Sequence, residues 1–400
     1  MVPVVVHYGE LALKGRNRPW FINQLVRSIR RSLGGLGVAA VRPLVGRILV
    51  TLHSEDDWLP ARERLAALPG IGNFARAHET LPDLDQLGDE IVRRLGSRTA
   101  TSFRIAARRV DKRFPIPSPE IERTIGRRVQ QATGWPVNLA HPAFVIRVEV
   151  LTSNAFFSFD REPGMGGLPV GTGGRVLALV SGGIDSPVAA WRLIRRGCRV
   201  TFVHFHSYPI LSRTSQDKVR DLVRRLTRCQ LRSRLYLVAF GSIQQKVVLA
   251  VPPPLRVVVY RRLMLRIAEQ LAVRTGAIAL ITGDAVGQVA SQTVDNLAVV
   301  GSAVKMPVLR PLVGMDKEEI TADAQRIGTY ETSIVADDDC CTLFTPRFPT
   351  TRATCAEVEA AEQSLDLDAL VSEAIDATTV EDFGFPMLEL SASARGEGRE

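Results

Sequence analysis

Long apolar runs are absent from this 400-residue chain. Although 46% of its residues are hydrophobic, no stretch approaches the ~20 apolar residues a membrane-crossing helix needs. The opening MVPVVVHYGELALKG has no signal-peptide layout either, so a soluble, cytoplasmic protein without a membrane partner is expected. Cysteine is scarce: five in a large chain, an odd number, do not read as a disulfide framework. Two of them, Cys340 and Cys341, are adjacent and cannot readily close a relaxed disulfide with each other. There is no CxxC spacing and no Cys/His cluster, which argues against structural zinc and against a cysteine-held iron–sulfur cluster. Lysine is rare too, at six of the 51 basic residues.

What is abundant is arginine, unevenly spread. Residues 1–170 carry a net charge of +8 and residues 171–300 of +13, whereas residues 301–400 carry −12. A basic face over two thirds of the chain suits a polyanionic partner, because neutralising phosphates releases their counterions. Coding bias toward arginine is the plainer explanation of the same numbers. The length calls for more than one core.

Residues 1–50 read strand, helix, strand, with Phe21, Leu25, Ile29 and Leu33 at helical spacing before Gly34-Gly35. A further helix and strand close a small α+β unit near residue 78. The next unit reads helix LDQLGDEIVRRLG, strand TSFRIAARRV, a proline-broken loop, helix EIERTIGRRVQQATG, and strands near 136–140 and 143–150. The glycine-rich REPGMGGLPVGTGG (161–174) reads as a linker. From residue 175 strands and helices alternate, with helices at 186–196, 215–229, 256–275 and 316–327. That alternation implies a parallel sheet covered on both faces, with its ligand at the carboxyl ends of the strands. The terminal SASARGEGRE reads as a frayed tail.

The chemistry gathers at RVLALVSGGIDSPVAAW. An apolar strand breaks on Ser181, Gly182 and Gly183, and a helix opens with Asp185, Ser186 and Pro187. The glycines let the chain turn tightly and bring amide groups to an anion, and the helix adds its positive end. Ser186 can cap the helix or hold an oxygen. The loop carries no lysine to reach a transferred terminal phosphate, so it suits a departing pyrophosphate and cleavage between the α and β phosphates.

SGGIDS resembles the loop of the ATP pyrophosphatases that adenylate their substrates. HYGELALKGRNR, GGLPVGTGGRVLALVSGGIDSPVA, VHFHSYP, YRRLMLRIAE, TGDAVGQVASQT, RPLVGMDKEEI and DDCCTLFTP occur in this order. Together they resemble the ThiI-like tRNA 4-thiouridine synthetase family over residues 4–385. The resemblance implies an α/β protein: an N-terminal ferredoxin-like α+β domain (1–76), a THUMP RNA-binding domain (77–165) and a Rossmann-like, parallel-sheet PP-loop domain (166–388), with a tail at 389–400. It implies ATP and Mg²⁺ as cofactors, and tRNA and a cysteine desulfurase or other persulfide donor as partners. A homodimer stays open.

Asp185 is then expected to hold Mg²⁺ on the β and γ phosphates, or else merely to complement the helix end. Leu179 and Val180 would touch the nucleotide along with Ser181, Gly182, Gly183 and Ser186. His204 and Phe205 end the next strand, where adenine or ribose would lie, though a core strand end explains them equally well. The resemblance puts nucleotide contacts on Arg261, Gly283 and Gln292, with Arg262 a competitor of Arg261. Asp284 stands where the family usually has glutamate. Lys305 and Arg310 line the substrate or are simply solvated. Cys340 is the expected sulfur carrier, while Cys341 resolves the persulfide or packs. Lys14, Arg16, Arg108, Arg109, Lys112 and Arg113 are candidate RNA contacts, and Asn138 replaces an acid common in relatives. Longer members add a rhodanese-like domain with its own sulfur-bearing cysteine. The sequence stops before one, so a short form is expected, supplied by a desulfurase directly or through a separate carrier.

The expected reaction adenylates O4 of uridine 8 of a tRNA, releasing pyrophosphate. Persulfide sulfur then replaces AMP at C4, and extruding the base from its stack precedes both steps. The rival readings are an amidating or NAD-type ligase, which would need an ammonia-supplying segment not found here, a tRNA-binding module with a decayed catalytic half, and sulfur delivery to the thiazole of thiamine.

Overall fold

The computed structural model describes residues 1–210, 212–335, 346 and 348–386. The chain divides into two compact units, Met1–Gly167 and Leu168 onward. No helix among the described residues is long and apolar enough to cross a membrane.

The first unit runs β1 (Val2–His7), α1 (Arg18–Ser32), β2 (Val38–Leu44), β3 (Arg47–Leu52), α2 (Trp58–Ala66) and β4 (Asn73–Arg76). It continues β5 (His78–Thr80), α3 (Leu84–Leu95), β6 (Phe103–Arg109), α4 (Ser118–Thr133), β7 (Phe144–Val150), β8 (Ala155–Ser158) and β9 (Glu162–Pro163). Of the residues the spacing singles out, α1 buries Leu25 and Ile29, Leu33 is buried just past its end, and Phe21 is half-buried. Asp83 caps α3, its carboxylate accepting from the amides of Asp85 and Gln86.

Among the described residues these strands form two sheets, ordered β2-β3-β1-β4-β9 and β5-β8-β7-β6. Only Ala77, with 2% of its surface exposed, separates β4 in the first sheet from β5 in the second. The second sheet packs a core of Leu87, Ile91, Phe103, Ile125, Val148 and Phe157 under α3 and α4.

Three details differ from the sequence reading. The expected strand at 136–140 shrinks to one bridge, Val137 to Phe103, because Asn138 turns the chain by accepting from the amides of Ala140 and His141. The linker at 161–174 opens with a strand, since β9 pairs with β4 through Asn73–Pro163 and Phe74–Glu162. Its later part is pinned: the amides of Gly171 and Gly173 donate to the Gly197 carbonyl at 2.8 and 2.9 Å.

The second unit runs β10 (Arg175–Leu179), α5 (Asp185–Arg195), β11 (Arg199–His206), α6 (Thr214–Gln230), β12 (Arg232–Ala239), α7 (Gly241–Ala250), α8 (Arg256–Thr275), β13 (Leu280–Ile281), α9 (Val294–Gly301) and β14 (Val308–Leu309). The one-turn α11 (Tyr330–Ser333) follows α10 (Lys317–Arg326), and α12 (Cys355–Glu362), α13 (Leu367–Asp376) and β15 (Thr379–Gly384) end the described chain. The sheet order is β14-β13-β10-β11-β12-β15. Its neighbours pair in parallel except β15, which runs antiparallel to β12. The expected all-parallel sheet is thus closed by an antiparallel edge, a common way for a doubly wound sheet to finish. Helix α8 supplies Val259, Leu263, Ile267 and Leu271 to the core beneath Leu177, Val203 and Val238. Residues 389–400, expected as a tail, lie outside the described residues.

Candidate active site at the carboxyl edge of the parallel sheet

β10 ends at Leu179 and α5 begins at Asp185, so residues 180–184 cross the carboxyl edge of the sheet. Val180 is buried; its amide donates to the Val203 carbonyl at 2.8 Å. Ser186 sits inside the first turn of α5, where it makes no helix cap. Its hydroxyl accepts from the Ser181 amide at 2.8 Å and reaches the Ser181 carbonyl at 3.3 Å, closing the loop on itself. The Gly183 amide donates to the Ser181 hydroxyl at 3.3 Å.

The chain bends at 182–184 without a left-handed backbone at Gly182 or Gly183, and a Cβ at Gly183 would meet only the Ser181 hydroxyl, at 3.5 Å. Gly183 instead keeps a face of the loop bare of side chain. Gly283, by contrast, is required by the protein itself. A Cβ there would lie 2.8 Å from the Ser186 nitrogen, 2.9 Å from its Cα and 3.0 Å from the Asp185 carbonyl carbon. The segment after β13 therefore presses backbone to backbone on the phosphate loop.

The cation missing from the loop arrives from elsewhere. Lys317, the first residue of α10, donates to the Asp185 carboxylate at 2.6 Å, and the Gln288 amide donates to its other oxygen at 3.0 Å. Helix α10 is held for this by its capping box, Asp316 with Glu319, and by Arg192 of α5. The Arg192 guanidinium donates twice to Asp323, at 3.0 and 2.7 Å. Sequence reasoning missed Lys317, which lies 132 residues from its partner. The DKEE run that starts α10 was its only local signal.

Beside the loop lies a second cluster. Asp284, 3% exposed, accepts from Arg261, from the Thr282 hydroxyl at 2.7 Å, from Arg310 at 3.3 Å and from the Gln292 amide at 3.4 Å. Burial alone would raise its pKa, but Arg261, the Thr282 hydroxyl and Arg310 outweigh it and hold the carboxyl below its ordinary range. Arg261 also donates to the Ser291 carbonyl at 2.9 Å. The buried Oε1 of Gln292 has no hydrogen-bond partner, an acceptor left open beside two guanidinium groups.

The two adjacent arginines part company. Arg262 turns to the far side of α8, 2% exposed, where it grips Glu362 at 2.9 and 3.0 Å and the Val299 carbonyl at 2.7 Å. Arg310 joins the cluster, but Lys305 does not: it precedes β14, and its exposed backbone amide donates to Glu269.

His204 is buried against the loop strand. Its Nδ1 donates to the Val180 carbonyl at 2.9 Å, and its Nε2 lies 3.4 Å from the Ser215 hydroxyl. Burial lowers its pKa to about 4, the bond to Val180 offsetting only part of this, so the ring is neutral at physiological pH. Phe205 faces the opposite side and packs edge-on to Phe240 in the core, with ring centroids 5.5 Å apart. Only its backbone is left for a ligand.

The described residues contain no group of three or more His, Cys, Asp or Glu that could hold a metal ion. Asp185 alone suits Mg²⁺, which keeps several waters and takes its other ligands from substrate phosphates. Cys340 and Cys341 lie outside the described residues. Of the other cysteines, Cys198 and Cys229 are buried, and burial raises the Cys229 thiol to about 12. Neither is a nucleophile at physiological pH.

In the first unit, Arg109 and Arg113 are committed locally, to the Phe114 carbonyl and to Asp111. Lys14 stands over the Phe21 ring at 5.1 Å. Arg16, Arg108 and Lys112 are exposed. Arg108 borders a cavity of about 400 Å³ that sequence reasoning did not anticipate, where Arg104, Arg147 and Arg161 converge with His7 and Asn73. Burial lowers the Arg147 pKa, and the neighbouring Arg161 and Arg104 lower it further. Asp160 offsets part of this shift, and Glu149, paired with His7 and Arg47, lines the cavity as well.

Comparison with known proteins identifies the family. Family profiles described as a ThiI ferredoxin-like domain, a THUMP domain and a thiamine biosynthesis protein (ThiI) match residues 3–75, 78–160 and 171–367. A probable tRNA sulfurtransferase of Thermus thermophilus is 49% identical, over 97% of this chain and 96% of that protein. One from Brevibacillus brevis is 41% identical, over 95% of this chain and 96% of its own length. A crystal structure of a 4-thiouridine synthetase–RNA complex with bound ATP superimposes with a TM-score of 0.86 at 36% identity, covering 96% of this chain and 99% of that one. The chain belongs to the ThiI family of tRNA sulfurtransferases.

Proposed function

We propose that this chain uses Mg²⁺-ATP to activate a tRNA uridine, with uridine 8 the expected target, and replaces its O4 with sulfur. The observation that carries the reading is the phosphate loop, with its bare face at Gly183, its self-closure through Ser186, and the Asp185–Lys317 pair at its mouth. The amides of residues 181–186 and the start of α5 would cradle the phosphates. Asp185 would hold Mg²⁺, which would draw negative charge from the β and γ phosphates, and Lys317 beside it would add a cation at the mouth of the loop. Arg261, Arg310 and the open Gln292 acceptor would meet the α phosphate and the rest of the nucleotide.

O4 attacks the α phosphorus and pyrophosphate departs. The base then carries AMP as a leaving group on C4. The terminal sulfur of a persulfide on Cys340 attacks C4 and AMP leaves, so the base is joined to Cys340 through a disulfide. A second thiol, from Cys341 through a strained vicinal disulfide or from a thiol reductant, attacks the Cys340 sulfur, forms a new disulfide with it and frees 4-thiouridine. A further reductant thiol must then reopen that disulfide and return Cys340 to a free thiol before a desulfurase persulfide can reload it. In the first unit, the arginine-lined cavity with Arg16, Arg108 and Lys112 would grip RNA phosphates, by shape and charge more than by sequence.

The test incubates purified protein with unmodified tRNA, Mg-ATP and a persulfide donor, and follows thionucleoside absorbance, AMP and pyrophosphate. Asp185→Ala should abolish all three products. Cys340→Ser should abolish thiolation while leaving tRNA-dependent pyrophosphate release. ADP and orthophosphate as products would refute the reading.

A further inference from the structure

At the opposite, amino-terminal edge of the parallel sheet, arginines fall into a row. Arg175 opens β10 and stands directly opposite Arg199, which opens β11. Carrying the β11–β12 register back three residues from Phe202–Leu235 sets Arg232, which opens β12, beside Arg199. Residues in register on parallel strands point to the same face, and adjacent strands lie ~4.8 Å apart. Three like charges therefore stand side by side. All three are exposed, and Arg274, at the end of α8, joins them around a cavity of about 430 Å³.

Among the described residues the only carboxylate lining that cavity is Asp382, which is already held by Arg234 at 2.8 and 2.9 Å. Arg199, Arg232 and Arg274 have no acidic partner among the described residues, and Arg175 reaches only the Thr275 carbonyl, at 3.4 Å. Surface arginines elsewhere in this unit, such as Arg220 and Arg224, are paired. The Thr201 hydroxyl lines the same cavity and can donate to a phosphate oxygen. Unpaired guanidinium groups around a concave surface match the bidentate recognition of phosphate.

We infer that this row is a second phosphate-binding site, distinct from the nucleotide loop, and that its occupant is the sugar–phosphate backbone of the RNA substrate. The five residues of β10 separate row and loop by about 17 Å, a span that one folded RNA can bridge. The inference rests on the reading of RNA as the substrate.

The test measures binding of an unmodified tRNA transcript between 50 and 200 mM KCl, for wild type and for Arg175→Gln/Arg199→Gln/Arg232→Gln. Arg224→Gln/Lys246→Gln/Arg352→Gln, which removes equal charge elsewhere on the unit, is the control. Two or three lost phosphate contacts should flatten the slope of log K against log [salt] by about 2–3 and weaken binding roughly ten- to hundred-fold at the lower salt. The control should keep the wild-type slope. Turnover at saturating tRNA should be unchanged in the row variant, and wild-type turnover separately tests the function proposed above. A parallel arm follows thermal stabilisation by inorganic pyrophosphate without RNA. An unchanged slope overturns the RNA assignment, whether or not pyrophosphate stabilisation is lost with the row.

Discussion

Replacing Gly283 with alanine isolates the contact on which the loop depends. The new Cβ would sit 2.8–3.0 Å from three backbone atoms of Asp185 and Ser186, whereas carbon contacts relax only at about 3.5–4.0 Å. Neither side yields easily. β13 is paired with β10 through Leu177–Leu280 and Ala178–Ile281, and α5 is buried along Val188, Ala189, Ala190 and Ile194. The loop must therefore move by roughly 0.5–1 Å. Overpacking of this kind costs about 1–3 kcal/mol, and each kcal/mol lowers Tm by roughly 2–4 °C in a unit of this size. A displacement near 1 Å at a reacting phosphate should slow turnover about 100-fold. Calorimetry and tRNA-dependent pyrophosphate release measure the two effects. Gly183→Ala is the control: its Cβ meets only a hydroxyl at 3.5 Å, so stability should change by less than about 0.5 kcal/mol while ATP binding weakens. If Gly283→Ala kept wild-type Tm and turnover within twofold, the backbone contact would not be shaping the loop.

The adjacent arginines should separate cleanly. Arg261→Ala should impair ATP turnover with modest loss of stability, whereas Arg262→Ala breaks a buried ion pair and should cost about 3–5 kcal/mol with ATP affinity retained in the folded fraction. Lys317→Met should reduce ATP-dependent turnover by about 10²–10³ with little change in Tm, checked by pyrophosphate release. For His204 the folded pKa of about 4 lies below the ordinary histidine value of 6.5. Its contribution to stability is therefore complete above pH 6.5 and lost as pH falls toward 4. The loss should reach about 3 kcal/mol at pH 4, and denaturant unfolding of His204→Gln should show a flatter profile across that window.

The strand–loop–helix at 175–195 was legible because its pattern is local: an apolar run, small residues, then an acid at a helix start. The roles of its parts were not. Gly283 reads as a space reserved for nucleotide, yet its first duty is to let two backbones touch. Arg261 and Arg262 are indistinguishable as neighbours in a sequence, but one position on a helix rotates a side chain by about 100°, sending one to the Asp284 cluster and the other to Glu362. Lys317 escaped because long-range pairing has no local signature. The two-residue β9 and the antiparallel β15 were missed for a related reason, since a strand so short, or one defined by its partner, carries too little periodicity to be read.

The return of the chain in β9 has a practical bearing on how the N-terminal half can be handled. The second sheet is spliced into the first: the polypeptide departs after Arg76, builds another body, and comes home to hydrogen-bond the strand it left. Cutting the protein at residue 76 would strip that strand of its outer neighbour and leave a raw edge open to self-association. A pull on the second sheet would accordingly load two tethers rather than one.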